Sequence, residues 1–153
     1  MRLTRFTDYS LRILIFAAAH PESRVTIKEA SDYFRISLAH VKKVVLKLVH
    51  EGFLVSVKGR SGGFGLARPA QEINLGAVVR ATEPDFGLFE CFLSGNTCAI
   101  SRPCGLPSIA NDALAAFLAE FDSHQLSDVT VRPSWFTTER REMRQPIRKA
   151  LSA

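Results

Sequence analysis

The stretch Ser37-Leu-Ala-His-Val-Lys-Lys-Val-Val-Leu-Lys-Leu-Val-His-Glu-Gly52 decides the fold. Serine is a favoured residue at the start of a helix, and glycine commonly follows the end of one. Between them the apolar residues recur at helical spacing and share one arc: Leu38, Val41, Val44, Val45, Leu48 and Val49. His40, Lys43 and Lys47 stand on the opposite face. The pattern predicts a helix that packs by one face and presents a basic face.

A capping box, Thr26-Ile-Lys-Glu29, predicts a preceding helix over residues 27–34. Two helices joined by a short turn, the second with a basic free face, form a helix-turn-helix, whose second helix enters the major groove of DNA. The N-terminal residues of that helix would meet base edges: Ser37, Ala39, His40 and Lys43, with Lys47 further along. A solvated charged surface is the alternative for the helix taken alone.

The next segment predicts a β-hairpin. Apolar residues alternate along each arm, at Phe53, Val55 and Val57 before the turn and at Phe64 and Leu66 after it. The turn, Lys58-Gly-Arg-Ser-Gly-Gly63, is rich in glycine and basic. Such a tip can approach phosphates and reach a narrow minor groove, so Lys58, Arg60 and Gly62 are candidate DNA contacts. Because the turn joins two strands and opens no helix, it does not match a nucleotide-binding loop.

Upstream, residues 5–20 predict a first helix that Pro21 ends. Its apolar stripe consists of Phe6, Tyr9, Ile13, Leu14, Phe16 and Ala17. Arg12 is the one charge inside the stripe and is a further candidate DNA contact. Asp8 lies one turn earlier and could pair with Arg12 on an exposed face. The fold class is therefore mainly α with a small β-hairpin, a winged helix-turn-helix.

Downstream, Asn74 is placed to cap a short helix over 75–82, and a longer helix follows from Pro107 to about residue 122. The longer helix has a wide apolar face: Leu106, Ala110, Ala113, Leu114, Phe117, Leu118 and Phe121. So much apolar surface needs a partner. A second copy of the chain is the natural one, because winged helices commonly read palindromic sites as homodimers. Burial against the first helix is the alternative.

Every cysteine of the chain falls within fourteen residues, as Cys91, Cys98 and Cys104. Thiolates are soft metal ligands, and Gly95, Asn96 and Pro103 allow the chain between them to turn. The gaps of six and five residues are wider than a zinc knuckle uses, so they suit an iron–sulfur cluster better. Buried or incidental thiols remain the alternative.

The net charge of +5 over 153 residues is unevenly distributed. Residues 1–70 carry twelve basic against five acidic side chains, residues 71–130 two against eight, and residues 131–153 six against two. The segregation favours a basic DNA-binding domain over 1–70, a regulatory and dimerising body over 71–131, and a basic, loosely ordered tail over 132–153. The odd cysteine count predicts a cytoplasmic protein, and no segment is long enough to span a membrane.

Three motifs in order carry a resemblance to the iron–sulfur winged-helix regulators of bacteria, over roughly residues 1–131. They are Met1-Arg-Leu-Thr-Arg-Phe-Thr-Asp-Tyr-Ser-Leu-Arg12, Val57-Lys-Gly-Arg-Ser-Gly-Gly-Phe-Gly-Leu-Ala-Arg-Pro69 and Ile73-Asn-Leu-Gly-Ala-Val-Val-Arg-Ala-Thr-Glu83. Pro107 stands where one branch of the family has a histidine ligand. Asp8 matches the aspartate of the NsrR-like branch, which represses transcription and senses nitric oxide. The first cysteine gap departs from that branch, which commonly has five residues there.

The resemblance implies a 4Fe–4S cluster, rather than 2Fe–2S, held by Cys91, Cys98, Cys104 and the partner's Asp8. It also implies a homodimeric repressor on double-stranded DNA. An iron-status or cluster-status regulator of the same family is one alternative, and a cluster-carrying redox protein that uses its winged helix for protein contact is another. An enzyme is not expected, because no HExxH motif or Ser/His/Asp order is present and the four histidines are scattered.

Overall fold

A computed structural model describes residues 2–57, 59 and 62–136 of the chain. Its helices are α1 Arg5–Ala18, α2 Ile27–Phe34, α3 Leu38–His50, α4 Leu75–Thr82, α5 Leu106–Asp122 and α6 Leu126–Val129, and its strands are β1 Leu54–Val57 and β2 Gly63–Leu66. The mainly helical architecture with one antiparallel hairpin confirms the predicted fold class. No helix in the described ranges combines the length and apolarity needed to cross a bilayer.

Residues 1–70 are called the head below. The core of the head lies between α1, α3 and the hairpin, where Ile13, Leu14 and Leu48 are completely buried. The predicted capping box is present, since Glu29 N donates to Thr26 Oγ1 and Thr26 N donates to the Glu29 carboxylate at 2.7 Å. Helix α2 ends where Arg35 takes a left-handed conformation, which turns the chain into α3. Helix α1 ends at Ala18, two residues before its predicted end.

In the hairpin, Leu54 pairs with Leu66 and Val57 with Gly63. The side chains that enter the core are Leu54 and Phe64, each 1% exposed, whereas Val55 and Val57 are 50% and 42% exposed. The alternating valines of the sequence therefore line the outer face of the wing. Phe64 also pairs with Val25, so the segment before α2 extends the hairpin by one bridge.

An ion pair joins the C-terminal ends of helices α4 and α5. Arg80 binds both carboxylate oxygens of Asp122, at 2.5 and 2.7 Å. These hydrogen bonds lower the pKa of Asp122. Gly76 leaves room for the pair, because a side chain there would meet both partners. Helix α5 packs mainly against α4 and not, as the intramolecular alternative predicted, against α1.

After α5 the chain returns to the head. Leu126 is completely buried, and Leu126 N donates to Ile73 O at 2.8 Å. A 3-10 turn, Pro133–Phe136, then places the Phe136 ring 5.0 Å from the rings of Phe16 and Tyr33. Phe136, which falls within the predicted tail, therefore packs against Phe16 and Tyr33, whereas residues 132–135 are exposed. The rest of the predicted tail lies outside the described residues.

Candidate DNA-reading surface and cysteine loop

The free face of α3 is a continuous exposed surface. Its exposed residues are Leu38, Ala39, His40, Lys42, Lys43, Leu46 and His50. Leu38 and Leu46 are 48% and 72% exposed, so Leu38 does not belong to the packed arc that the sequence predicts. The reason is its place in the first turn of the helix, ahead of the core. The surface offers two ammonium groups and two imidazoles flanked by apolar side chains, which suits phosphates and base edges.

Ser37 organises the start of this surface. Its hydroxyl caps α3 by accepting from His40 N at 3.3 Å, and it is 3.0 Å from His40 Nδ1. The Tyr9 ring of α1 lies 6.3 Å from the His40 ring. The imidazole is thus in contact with residues of both α3 and α1, so a movement of α1 would reach the free face of α3 directly.

The predicted basic residues of α3 are not equivalent. Lys43 is exposed, whereas Lys47 is half-buried and donates to Glu51 Oε1 at 2.8 Å. That hydrogen bond is the main cause of a lowered pKa of Glu51, and one from His50 adds to it. The charge of Lys47 is therefore largely matched within the helix. Lys42 is exposed and was missed as a candidate, although the Lys42-Lys43 pair in the sequence was a signal for it.

At the tip of the wing, Gly62 N donates to Gly59 O at 3.0 Å, and Gly59 has φ +114°. This closes a tight turn that only glycine adopts without strain. The two predicted cationic contacts of the wing, Lys58 and Arg60, lie outside the described residues.

The cysteine loop, defined as residues 84–105, connects α4 to α5. Cys91 sits in a 3-10 turn, Glu90–Phe92, and is half-buried; Cys104 is half-buried and Cys98 is exposed. Turns precede two of the cysteines: Cys98 N donates to the side-chain Oδ1 of Asn96 at 2.9 Å, and Cys104 N donates to the backbone oxygen of Ile100 at 3.0 Å. All three thiols are free.

A clip closes the loop between its first two cysteines. The carboxylate of Glu90 accepts from Thr97 Oγ1 at 2.8 Å and from Thr97 N at 3.1 Å. These two hydrogen bonds lower the pKa of Glu90. They join the residue before Cys91 to the residue before Cys98, so the two cysteines are held on one closed turn.

The donor set of this loop fits an iron–sulfur cluster, since three unpaired thiols on an exposed, turn-rich segment are the ligands that such clusters use. Within the residues the structure covers, no three cysteine, histidine or carboxylate side chains converge closely enough to hold a single metal ion. The loop therefore has the right chemistry, and its conformation in this structure is not that of a closed metal site.

Asp8, the predicted fourth ligand, lies on α1 with its side chain 45% exposed. Arg12 donates from Nε and Nη2 to the two Asp8 oxygens at 2.8 and 2.7 Å. The structure thus brings together Asp8 and Arg12, one predicted as a ligand and the other as a DNA contact. An exposed pair of this kind contributes little stability, so either side chain is available for another partner.

The head has the architecture of a winged-helix DNA-binding protein, with a basic free face on its third helix and a wing beside it. A protein-family model, Rrf2, described as "Iron-dependent Transcriptional regulator", matches residues 3–132. The chain belongs to the Rrf2 family of transcriptional regulators. This confirms the resemblance found in the sequence and the expectation that the protein is not an enzyme.

Two relatives illustrate the similarity. The chain is 44% identical over 131 residues to the HTH-type transcriptional regulator NsrR of Bacillus subtilis strain 168, covering 84% of this chain and 90% of the relative. It is 42% identical over 131 residues to the regulator of the same name from Oceanobacillus iheyensis, covering 84% and 89%. Both relatives carry the name NsrR, which is also the name of the branch whose aspartate Asp8 matches.

Solved structures share the fold. T. potens IscR superimposes with a TM-score of 0.67 at 21% sequence identity, covering 84% of this chain and 85% of that one. Staphylococcus aureus CymR superimposes with a TM-score of 0.65 at 22% identity, covering 80% and 93%. At these identities the likeness establishes the winged-helix architecture alone.

Proposed function

We propose that the protein is a homodimeric repressor whose affinity for a palindromic operator depends on a 4Fe–4S cluster and is lowered by nitric oxide. The observation that carries the proposal is that the chain has both three free thiols on one exposed loop and an exposed carboxylate, Asp8, on the helix beside the DNA-reading face. The identity to regulators named NsrR supports the same conclusion. The repressor would act on chromosomal DNA in the cytoplasm.

Cys91, Cys98 and Cys104 would hold the cluster from one subunit and the partner's Asp8 would complete it. The cluster, when bound, supplies iron that reacts with nitric oxide. A carboxylate is a harder ligand than three thiolates, so its bond is expected to exchange most easily. Asp8 would leave Arg12 to take this role, which frees the Arg12 guanidinium for a phosphate.

An exposed apolar stripe on α5 supports the homodimer. Ile109 is 67% exposed and Leu106 is 44% exposed. Ala113 and Ala116, also exposed, continue the same side of the helix at spacings of four and three residues. Such a stripe suits a second helix, because the small alanines allow close approach. Two copies of α5 packed along this stripe would set the separation of the two heads.

On DNA, α3 would occupy the major groove and the wing would lie along the backbone. The proposed contacts are Arg12, Ser37, Ala39, His40, Lys43, Lys47, Lys58, Arg60 and Gly62, and the exposure of Lys42 adds it to them. Lys47 is expected to contribute less than Lys43, because Glu51 already neutralises it. A link between Asp8 and the other subunit's cysteine loop would hold the two heads at one spacing, and losing it would release them.

The proposal is tested with protein isolated without oxygen and a duplex that this protein selects from a random pool. The protein is titrated with nitric oxide while its visible absorption and its operator affinity are followed together. We expect the cluster absorption to bleach as affinity falls roughly 5- to 150-fold, the usual range of coupling between two sites. Unchanged affinity after complete bleaching would remove the sensing role, and a colourless, iron-free preparation that binds normally would remove the cluster.

Lys43→Ala is expected to flatten the salt dependence of operator binding. Loss of one phosphate contact lowers the slope of log K against log salt by about 0.9. Lys47→Ala is the matched control, because it removes the same charge from the same helix but from a pair with Glu51. The slope of each variant is measured between about 50 and about 200 mM salt, a roughly fourfold range. Equal slopes for the two variants would contradict the assignment of the exposed face.

Asp8→Ala is expected to leave a cluster on three cysteines, with an altered visible circular dichroism spectrum and an altered rate of reaction with nitric oxide. The reason is that one ligand is lost while the three thiolates remain. Asp32→Ala serves as control, because Asp32 forms a similar exposed pair, with Lys28 at 2.6 Å, elsewhere on the head. A spectrum and rate identical to those of the unmodified protein would leave Asp8 as a partner of Arg12 alone.

A response to iron status is the second candidate, favoured by the description of the matched family as iron-dependent. The same residues would hold the cluster, but operator affinity would follow iron supply. Measuring affinity after anaerobic chelation, and separately after nitric oxide, distinguishes the two signals.

A further inference from the structure

Glu83 connects the cysteine loop to the beginning of α1. It follows the last residue of α4 and immediately precedes the loop. Its carboxylate accepts from Thr7 Oγ1 at 2.5 Å, from Thr4 Oγ1 at 3.1 Å and from Thr4 N at 3.2 Å. Both oxygens are engaged, because Thr4 N is 3.2 Å from each of them. Both carboxylate oxygens are thus used in hydrogen bonds to the N-terminal residues of α1, and the carboxylate is not free to bind a metal.

These contacts are not needed to start the helix. Thr4 already caps α1 locally, since its hydroxyl accepts from Thr7 N at 3.3 Å. The bonds from Glu83 span 76 and 79 residues of sequence, so their effect is to fix α1 relative to the end of α4. Thr7 is completely buried, which shields the shortest of these bonds from water. A hydrogen bond to a charged acceptor in such a place is stronger than an exposed one.

The same contacts lead to Asp8. The amide and hydroxyl of Thr4 donate to Glu83. The carbonyl oxygen of Thr4 accepts a hydrogen bond from Asp8 N at 3.1 Å. One turn of helix therefore separates the residue that Glu83 holds from the carboxylate assigned to the cluster. A shift at the start of the cysteine loop would move Glu83, then Thr4, and with it the first turn of α1.

We infer that Glu83 is a positioning residue that couples each subunit's cysteine loop to the α1 helix carrying Asp8. The inference rests on the proposed function, because Asp8 matters here as a ligand to the partner's cluster. Each loop then governs the placement of the carboxylate that the other subunit receives. The two clusters of a dimer are linked in this way through protein contacts, and their states reach the DNA-reading face through α1.

The first measurement needs no cluster. Amide hydrogen exchange of residues 4–8 is followed in cluster-free protein for Glu83→Gln, which keeps the size of the side chain and removes its charge. We expect exchange at the Thr4 amide to rise about tenfold or more, because a charged acceptor is lost. Glu72→Gln, an exposed glutamate before α4, is the control and should leave exchange unchanged. Unaltered exchange in Glu83→Gln would overturn the inference.

The second measurement is a double-mutant cycle with Asp8→Ala, read as operator affinity and visible circular dichroism of anaerobically isolated protein. Alone, Glu83→Gln should lower affinity about 5- to 30-fold; in the Asp8→Ala background it should lower it less than about twofold, because coupled residues are not additive. Thr7→Val should reproduce the Glu83→Gln result.

The outcomes separate the inference from the proposed function. Equal losses in both backgrounds would show that Glu83 supports the fold and does not act through Asp8, which overturns the inference and leaves the proposed function standing. An Asp8→Ala protein with unchanged affinity and spectrum would remove the ligand role of Asp8, and the coupling would fail together with that part of the proposed function.

Discussion

Ile109→Asp is expected to convert the protein to a monomer and to abolish tight operator binding. Ile109 is the most exposed large apolar residue of α5, and it lies at the centre of the apolar stripe. Because a dimer is twofold symmetric, the substitution is present in both subunits. Burying each isoleucine side chain contributes about 1.5–3 kcal/mol, so the free energy of dimerisation loses about 3–6 kcal/mol from burial alone. Dimerisation should therefore weaken by about 100-fold or more, before the cost of two apposed carboxylates is added.

The measurement is sedimentation equilibrium over a range of concentrations, together with operator affinity. Ala115→Asp is the matched control, because Ala115 is exposed on the opposite side of the same helix. It adds the same charge and should leave both quantities nearly unchanged. The circular dichroism signal of helices, at about 222 nm, is measured for both variants to check that α5 still forms. A fully dimeric Ile109→Asp protein would place the dimer interface elsewhere.

Cys98→Ser is expected to remove both the cluster and the response to nitric oxide. Serine preserves the size of the side chain but does not provide a soft thiolate. Cys98 is the exposed member of the three cysteines, so its replacement disturbs no packed core. Operator affinity should fall roughly 5- to 150-fold relative to the cluster-bound protein, and added nitric oxide should cause no further change.

Ser94→Ala, an exposed change in the same loop, is the control and should behave like the unmodified protein. Iron and sulfide content, visible absorption and operator affinity are measured on the same anaerobic samples. If Cys98→Ser keeps its iron, its colour and its response, Cys98 is not a ligand and the three-cysteine assignment fails.

Local patterns were sufficient to predict the elements of the head. Thr26 and Ser37 cap their helices through contacts within three residues, and the apolar arc of α3 packs as its period requires except at Leu38. The side of the wing that enters the core could not be read locally, because both strand faces carry apolar residues. Contact with Val25 settles it by drawing Phe64 inward.

The candidate site divides in the same way. The cysteines are predicted as ligands from residue type and spacing, since a ligand's chemistry belongs to its side chain, and Asp8 is predicted from the family resemblance. The ion pair of Lys47 with Glu51 also follows a four-residue helical spacing, so the sequence carried a signal for it that was missed. The role of Glu83 had no such signal, because Glu83 counts as a surface carboxylate until Thr4 and Thr7 are found bound to it.

Residue chemistry and short-range periodicity were enough to establish a winged helix with a thiol-rich loop, because caps, helical arcs and ligand types depend on neighbours a few positions apart. The connection of that loop to α1 across 79 residues depends on how the chain folds back on itself. No local pattern encodes such a contact, since a carboxylate and two threonines are common anywhere. Folding alone brings them together, and so joins the residue before the cysteine loop to the helix beside the candidate DNA-reading surface.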